Sequence, residues 1–178
     1  MKTLKSSFLL LTALFFLTTS ASVFAQDAVK PKASPAAAVT GKVGNATITI
    51  NYSSPSVKGR TIWGELVPYN KAWRAGANEA TTFTTDKDIV IEGKTLKAGK
   101  YSLFAIPSEK DWQIIFNSQT GQWGTTRQGA NFDPANTVLT VTVTPKKSAK
   151  MNESLQYVVN AKGVSLLWEN LEVPIAIK

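Results

Sequence analysis

Residues 138–144 read Val-Leu-Thr-Val-Thr-Val-Thr, with Leu139, Val141 and Val143 alternating against Thr140, Thr142 and Thr144. A period of two puts every second side chain on one face of an extended strand, so three apolar residues face a core and three threonines face water. The same alternation recurs on both sides of this stretch. Towards the C-terminus Leu155, Tyr157 and Val159 alternate with Gln156 and Asn160, then Val164, Leu166 and Trp168 with Ser165 and Glu169. Val173, Ile175 and Ile177 form a last strand. Towards the N-terminus Ile48, Ile50 and Tyr52 oppose Thr47, Thr49 and Asn51, and Tyr101–Ile106 and Trp112–Phe116 are joined through Pro107-Ser108-Glu109-Lys110. Glu92-Gly93-Lys94 and Ala161-Lys162-Gly163 sit between apolar runs as hairpin turns. These features predict an all-β protein: one antiparallel β-sandwich or jelly-roll-like domain of about eight to nine strands. Only Ile62–Val67 offers a single helical turn, ended by Pro68.

The first 25 residues have a different character. Lys2 and Lys5 precede an apolar run from Phe8 to Leu17, and Val23-Phe24-Ala25 places small residues where a signal peptidase reads them. The run of about ten residues is half the roughly 20 needed to span a bilayer. The expectation is a signal peptide over residues 1–25, a mature start at Gln26, no membrane span after cleavage, and a periplasmic or secreted destination. Residues 26–41, rich in Ala, Pro and Lys and broken by Pro31, Pro35 and Gly41, are expected to be a flexible linker. Residues 42–178 are then the single domain, large enough to bury a core of its own.

Composition narrows the chemistry. The chain has no cysteine and no histidine. Disulfides, thiolate nucleophiles, imidazole bases and Cys/His metal sites are therefore excluded. No metal and no cofactor is implied, and any catalysis falls to carboxylates, lysine or tyrosine. The formal net charge of +8 comes from scattered lysines and arginines, whose longest run is Lys146-Lys147. A clustered nucleic-acid footprint is missing, so nucleic acid is not an expected partner.

Two segments interrupt the strands: Ser53–Ala80 and Gln119–Asn136. Long irregular connections in a compact β domain often carry function. The first gathers Lys58, Arg60, Tyr69, Trp73, Arg74, Asn78 and Glu79, and the second adds Trp123. Guanidinium forks suit carboxylate, sulfate or phosphate, and flat rings suit a sugar or an apolar ligand. Asn78 and Glu79 can orient hydroxyls or amides. These eight residues are the candidate ligand-binding set. Against that stands a structural role, in which Trp63 and Trp73 plug one end of the sandwich and Arg74 pairs with Glu79.

The first segment also carries a resemblance. Ser54-Pro55-Ser56, Gly59-Arg60, Ile62-Trp63-Gly64, Leu66-Val67-Pro68-Tyr69, Trp73-Arg74 and Gly76-Ala77-Asn78-Glu79 resemble the core motif of the domain-of-unknown-function 2911 family. Leu96–Leu103, Trp112, Ile115-Phe116-Asn117, Gln122-Trp123-Gly124, Leu166, Trp168 and Glu169 continue it across residues 42–178. The resemblance implies an exported, β-rich protein and no particular activity. From the residues, the leading reading is a non-catalytic module binding a glycan or other anionic cell-envelope ligand. Alternatives are a carboxylate-dependent carbohydrate-active enzyme, hydrolase or lyase, with Glu79 paired to Glu65 or Asp133, and a structural or assembly protein of the envelope.

Overall fold

The computed structural model describes residues 32–178. The signal-peptide expectation for residues 1–25 and the first part of the expected linker lie outside the described residues. In chain order the strands are β1 (Ala36–Val43), β2 (Ala46–Ser53), β3 (Thr81–Thr85), β4 (Ile89–Ile91), β5 (Lys94–Leu96), β6 (Gly99–Ile106), β7 (Trp112–Asn117), the short β8 (Thr125–Thr126) and β9 (Gly129–Ala130), β10 (Thr137–Val143), β11 (Lys146–Asn160) and β12 (Gly163–Ala176). The all-β, antiparallel class expected from the alternation is what the chain adopts. A six-stranded sheet runs in the order β1-β2-β3-β6-β7-β10. Spatial neighbours are sequential apart from two inserted hairpins, so the connectivity is a meander.

The second layer is the long β11–β12 hairpin. Its Leu155, Tyr157, Leu166, Trp168, Val173 and Ile175 share one buried cluster with Ile48, Ile50, Phe83, Leu103, Phe116, Leu139 and Val141 from the sheet. The two C-terminal runs read from sequence are one strand, β12, bent where Glu169 takes a positive φ of 53° and the pairing with β11 shifts register. The β4–β5 hairpin closes one end: Ile91 bridges Ile177, and Val90 exchanges both backbone hydrogen bonds with Lys178.

Three local expectations need correction. The linker does not extend to residue 41, because β1 starts at Ala36 and pairs with β2 from Ala36↔Ser53 to Val43↔Ala46. Alanine and glycine have weak strand preference, which hid it. Here their small size is used, since a Cβ at Gly41 would lie 2.7 Å from Val159 Cβ. β3 was also illegible: its only large apolar residue is Phe83, flanked on the core side by buried Thr81 and Thr85. The segment Ile62–Val67 is not a helical turn but a wider loop, closed by hydrogen bonds from Leu66 N to Thr61 O and from Val67 N to Ile62 O.

The outer face of the sheet prepares the site. Asn51, Thr82, Ser102 and Asn117 stand directly opposite one another across β2, β3, β6 and β7. Asn51 is exposed, but the buried Ser102 and Asn117 need partners. Residues 119–133 supply them. Ser102 Oγ donates to Gln119 O at 2.6 Å, Asn117 Nδ2 to Asp133 O at 2.8 Å, and Gln119 N to Asn117 Oδ1 at 2.9 Å. Beside this row Phe132 packs on Phe104, next to Ala80 and Ile115. The second irregular segment is thus a flap stitched to the outer face.

Candidate functional site

The first irregular segment begins by docking on the long hairpin. Val57 N donates to Glu153 O, and Leu155 N to Pro55 O. Its aromatic residues turn inward. Trp63 and Trp73 meet Trp112 of β7 and Trp168 of β12, with ring centroids 4.8–6.4 Å apart. Most of these pairs are edge-to-face, the arrangement that ring quadrupoles favour. The indole N–H groups of Trp63, Trp112 and Trp168 are buried without a partner, so this cluster is held by packing. Trp63 and Trp73 thus pack against the main core.

Beyond Trp73 the chain is held in strained geometry. Trp73 exchanges backbone hydrogen bonds of 2.7 and 2.8 Å with Ala105. Ala75 is buried with φ +49°, a conformation costly for a residue with a Cβ. Two hydroxyls stabilise it by donating to its carbonyl: Thr81 at 3.0 Å and Tyr157 at 2.8 Å. Burial raises the pKa of the Tyr157 phenol, so it remains a donor.

The eight candidate residues divide into two groups. Lys58, Arg60 and Tyr69 serve their own turns. Lys58 N caps the Glu153 carboxylate at 2.9 Å, and Arg60 donates to Val57 O and Ser56 O at 3.0 and 2.5 Å. Tyr69 lies against Gly64. No hydrogen bond or ion pair among the described residues joins Arg60 to Arg74, Asn78 or Glu79. Of the other five, Trp73 belongs to the inward-facing tryptophan cluster, and Arg74, Asn78, Glu79 and Trp123 come together because residues 78–80 run alongside 122–124. Ala80 N donates to Gln122 O, Gly124 N to Asn78 O, and Glu79 bridges Trp123.

Within that group Arg74 is consumed by the fold. Its Nη1 donates to Asn78 O at 3.1 Å and to Thr125 Oγ1 at 2.9 Å, and burial lowers its pKa. It does not form the expected ion pair with Glu79. That carboxylate instead pairs with Lys32, which holds its pKa below the ordinary glutamate value. Asn78, at φ +57°, donates from Nδ2 to Ser34 O at 2.9 Å. Lys32 Nζ also sits 5.4 Å from the centre of the Trp123 ring. Asp133 caps the short 3-10 turn Pro134–Asn136 by accepting from Ala135 N.

Beside this arrangement is a groove of about 500 Å³. Asn51, Glu79, Thr82, Lys100 and Gln122 line it, with Ala36–Ala38 of β1 along one side. Gln122 Nε2 reaches Ser102 Oγ, Gln119 O and Asn131 O at 3.2–3.4 Å, while its Oε1 is buried without a partner. The hydroxyl of Thr82, paired across β3–β6 with Ser102, is unpartnered too. Lys100 stands opposite Thr84, towards the far end of β3 from Glu79. A second depression of about 540 Å³, lined by residues including Glu92, Lys162 and Glu172, has no aromatic lining. Among the described residues no group of three or more carboxylates is placed to hold a metal ion.

Sequence reasoning singled out Glu79 and Trp123 but not Lys32, Asn51, Thr82, Lys100 or Gln122. Lys32 was assigned to a linker, and the rest look like solvated strand or loop residues. Lys100 and Gln122 fall in runs that carry the family resemblance, Leu96–Leu103 and Gln122-Trp123-Gly124.

No curated protein and no solved structure matches the chain. The profile of the family described as "Protein of unknown function (DUF2911)" matches residues 34–177, the whole of the sheet, hairpin and flap. The chain belongs to the DUF2911 family.

Proposed function

We propose that the protein is an exported, non-catalytic module that binds a glycan in the groove between the β1–β3 edge of the sheet and the 119–123 turn. One observation carries the reading. Trp123 is 47% exposed and bridges Glu79, which lines a groove that also offers amide and ammonium groups from Asn51 and Lys100. A sugar ring presents one apolar C–H face and a rim of hydroxyls. An exposed indole suits the first, and Asn51 and Glu79 suit the second. The volume lies in the range of small-molecule sites, enough for roughly one or two sugar rings.

The test is a glycan array probed with wild type, Trp123→Ala and Gln122→Ala, with thermal melting of each. Wild type is expected to be retained by at least one glycan and to release no shortened product. Trp123→Ala should weaken retention by about tenfold or more, the loss of one stacking platform, with melting unchanged. Retention that ignores both substitutions would overturn the assignment of the groove. Export has its own check: the mature protein is expected to begin at Gln26 by intact mass, and a retained Met1 would refute it.

A further inference from the structure

Lys32 is the most informative side chain at the groove because it behaves as a ligand. Its ammonium ion-pairs with Glu79 and stands over the face of Trp123, 5.4 Å from the ring centre. A carboxylate together with an aromatic face is the chemistry that recognises an alkylammonium group. Both recognition residues remain about half exposed, Glu79 at 50% of its side chain and Trp123 at 47%. The segment carrying Lys32 is anchored after it, by Asn78 Nδ2 to Ser34 O and by Ser54 N to Pro35 O. The Lys32 side chain can therefore leave without disturbing β1. Exposed ion pairs of this kind are weak, which makes the lysine displaceable.

We propose that Glu79 and Trp123 form an ammonium subsite at one end of the groove, occupied in cis by Lys32, and that the glycan bound there carries a free amino group. This rests on the glycan reading above and narrows it to amino sugars. The groove is polar in a directed way. Glu79 stands at one end of β3, and Lys100 is in register with Thr84 towards the other. An ammonium is attracted to the first and repelled from the second, so one orientation of an asymmetric sugar is selected. Between them the lining is neutral, and the exposed Asn51 amide suits hydroxyls. Lys32 then acts as a competitor that an incoming amino sugar must displace.

The experiment is calorimetric titration of the full mature chain with a glucosamine oligosaccharide, with its N-acetylated counterpart, and with trilysine. Wild type, Lys32→Ala, Glu79→Gln and Trp123→Ala are compared, each first shown to melt as wild type does. The expected result is a preference for the free amine, strengthened about three- to tenfold in Lys32→Ala, where the internal competitor is gone. Glu79→Gln should erase the preference, and Trp123→Ala should weaken both sugars. Equal binding of the two sugars, with no response to Lys32→Ala, overturns the ammonium subsite and leaves the glycan site standing. Trilysine binding as tightly as the amino sugar also overturns it, because the sugar would then contribute nothing. If neither these oligosaccharides nor any arrayed glycan binds wild type or Lys32→Ala, the glycan reading itself has failed.

Discussion

The guanidinium of Arg74 donates to Asn78 O and Thr125 Oγ1, and its methylenes lie on Gly124, where an added Cβ would come within 2.4 Å of Arg74 Cδ. It joins the two irregular segments, and that contact is worth measuring. Arg74→Ala removes three hydrogen bonds, the third from Nε to Gly76 O at 3.4 Å, from a charged, half-buried donor and should cost about 1.5–3 kcal/mol in urea unfolding. Arg74→Lys keeps the charge but not the fork, so it should recover less than half of that loss. An unfolding midpoint equal to wild type in Arg74→Ala would refute the role. At this scale the residue type was readable and its use was not. The sequence shows an arginine five residues before Glu79, and the expected pair fails because Thr125, from a distant segment, and the Asn78 carbonyl take the guanidinium instead.

Among elements, the β11–β12 hairpin depends on its tip. Gly163 has φ +137°, and a Cβ there would lie 2.1 Å from Ile175 O. Gly163→Ala adds backbone strain and a backbone collision together, so we expect a loss of at least about 2 kcal/mol, read as a lowered melting temperature. The alanine at a neighbouring turn position, Ala161, is exposed and serves as a control site. On β10, Val141 is 1% exposed between the two layers. Val141→Asp buries a charge with no partner and should cost about 3 kcal/mol or more. Wild-type melting in that variant would mean that β10 faces the other way. The strands that were legible, such as β10, alternate large apolar with polar residues. β1 and β3 leave a weak signal because Ala37, Gly41, Thr81 and Thr85 share their core-facing positions with only Val39, Val43 and Phe83.

For the whole molecule, sheet and hairpin share one core, and the four-tryptophan cluster draws on the first irregular segment, β7 and β12. Unfolding followed by tryptophan fluorescence and by far-ultraviolet circular dichroism should therefore trace one coincident transition. Separate midpoints would show that the layers unfold independently. Acid should weaken the fold through Asp86 and Asp88. The Thr47 N–H holds the Asp86 pKa down, and Lys97 with the Ala98 N–H does the same for Asp88. A depressed carboxylate pKa means stability that is present above the unfolded value, about 3.9, and lost as pH falls through the folded value. The urea midpoint should be flat from about pH 8 to 5 and drop below about 4, and Asp86→Asn with Asp88→Asn should flatten that drop. An unchanged drop would place the acid sensitivity elsewhere. The raised pKa of Lys97 has the opposite sense: its share is present below the ordinary lysine value and lost as pH rises through the folded one. The sequence by itself determined the β class, the strand facing and the hairpin turns, because side-chain period and turn chemistry are constraints between residues a few positions apart. Only the tertiary structure decided that Arg60 and Arg74 serve the fold and that Lys32, Glu79 and Trp123 meet. Residues 32, 79 and 123 are brought together by strand register and by the path of the 119–133 flap, and neither leaves a local pattern in the chain.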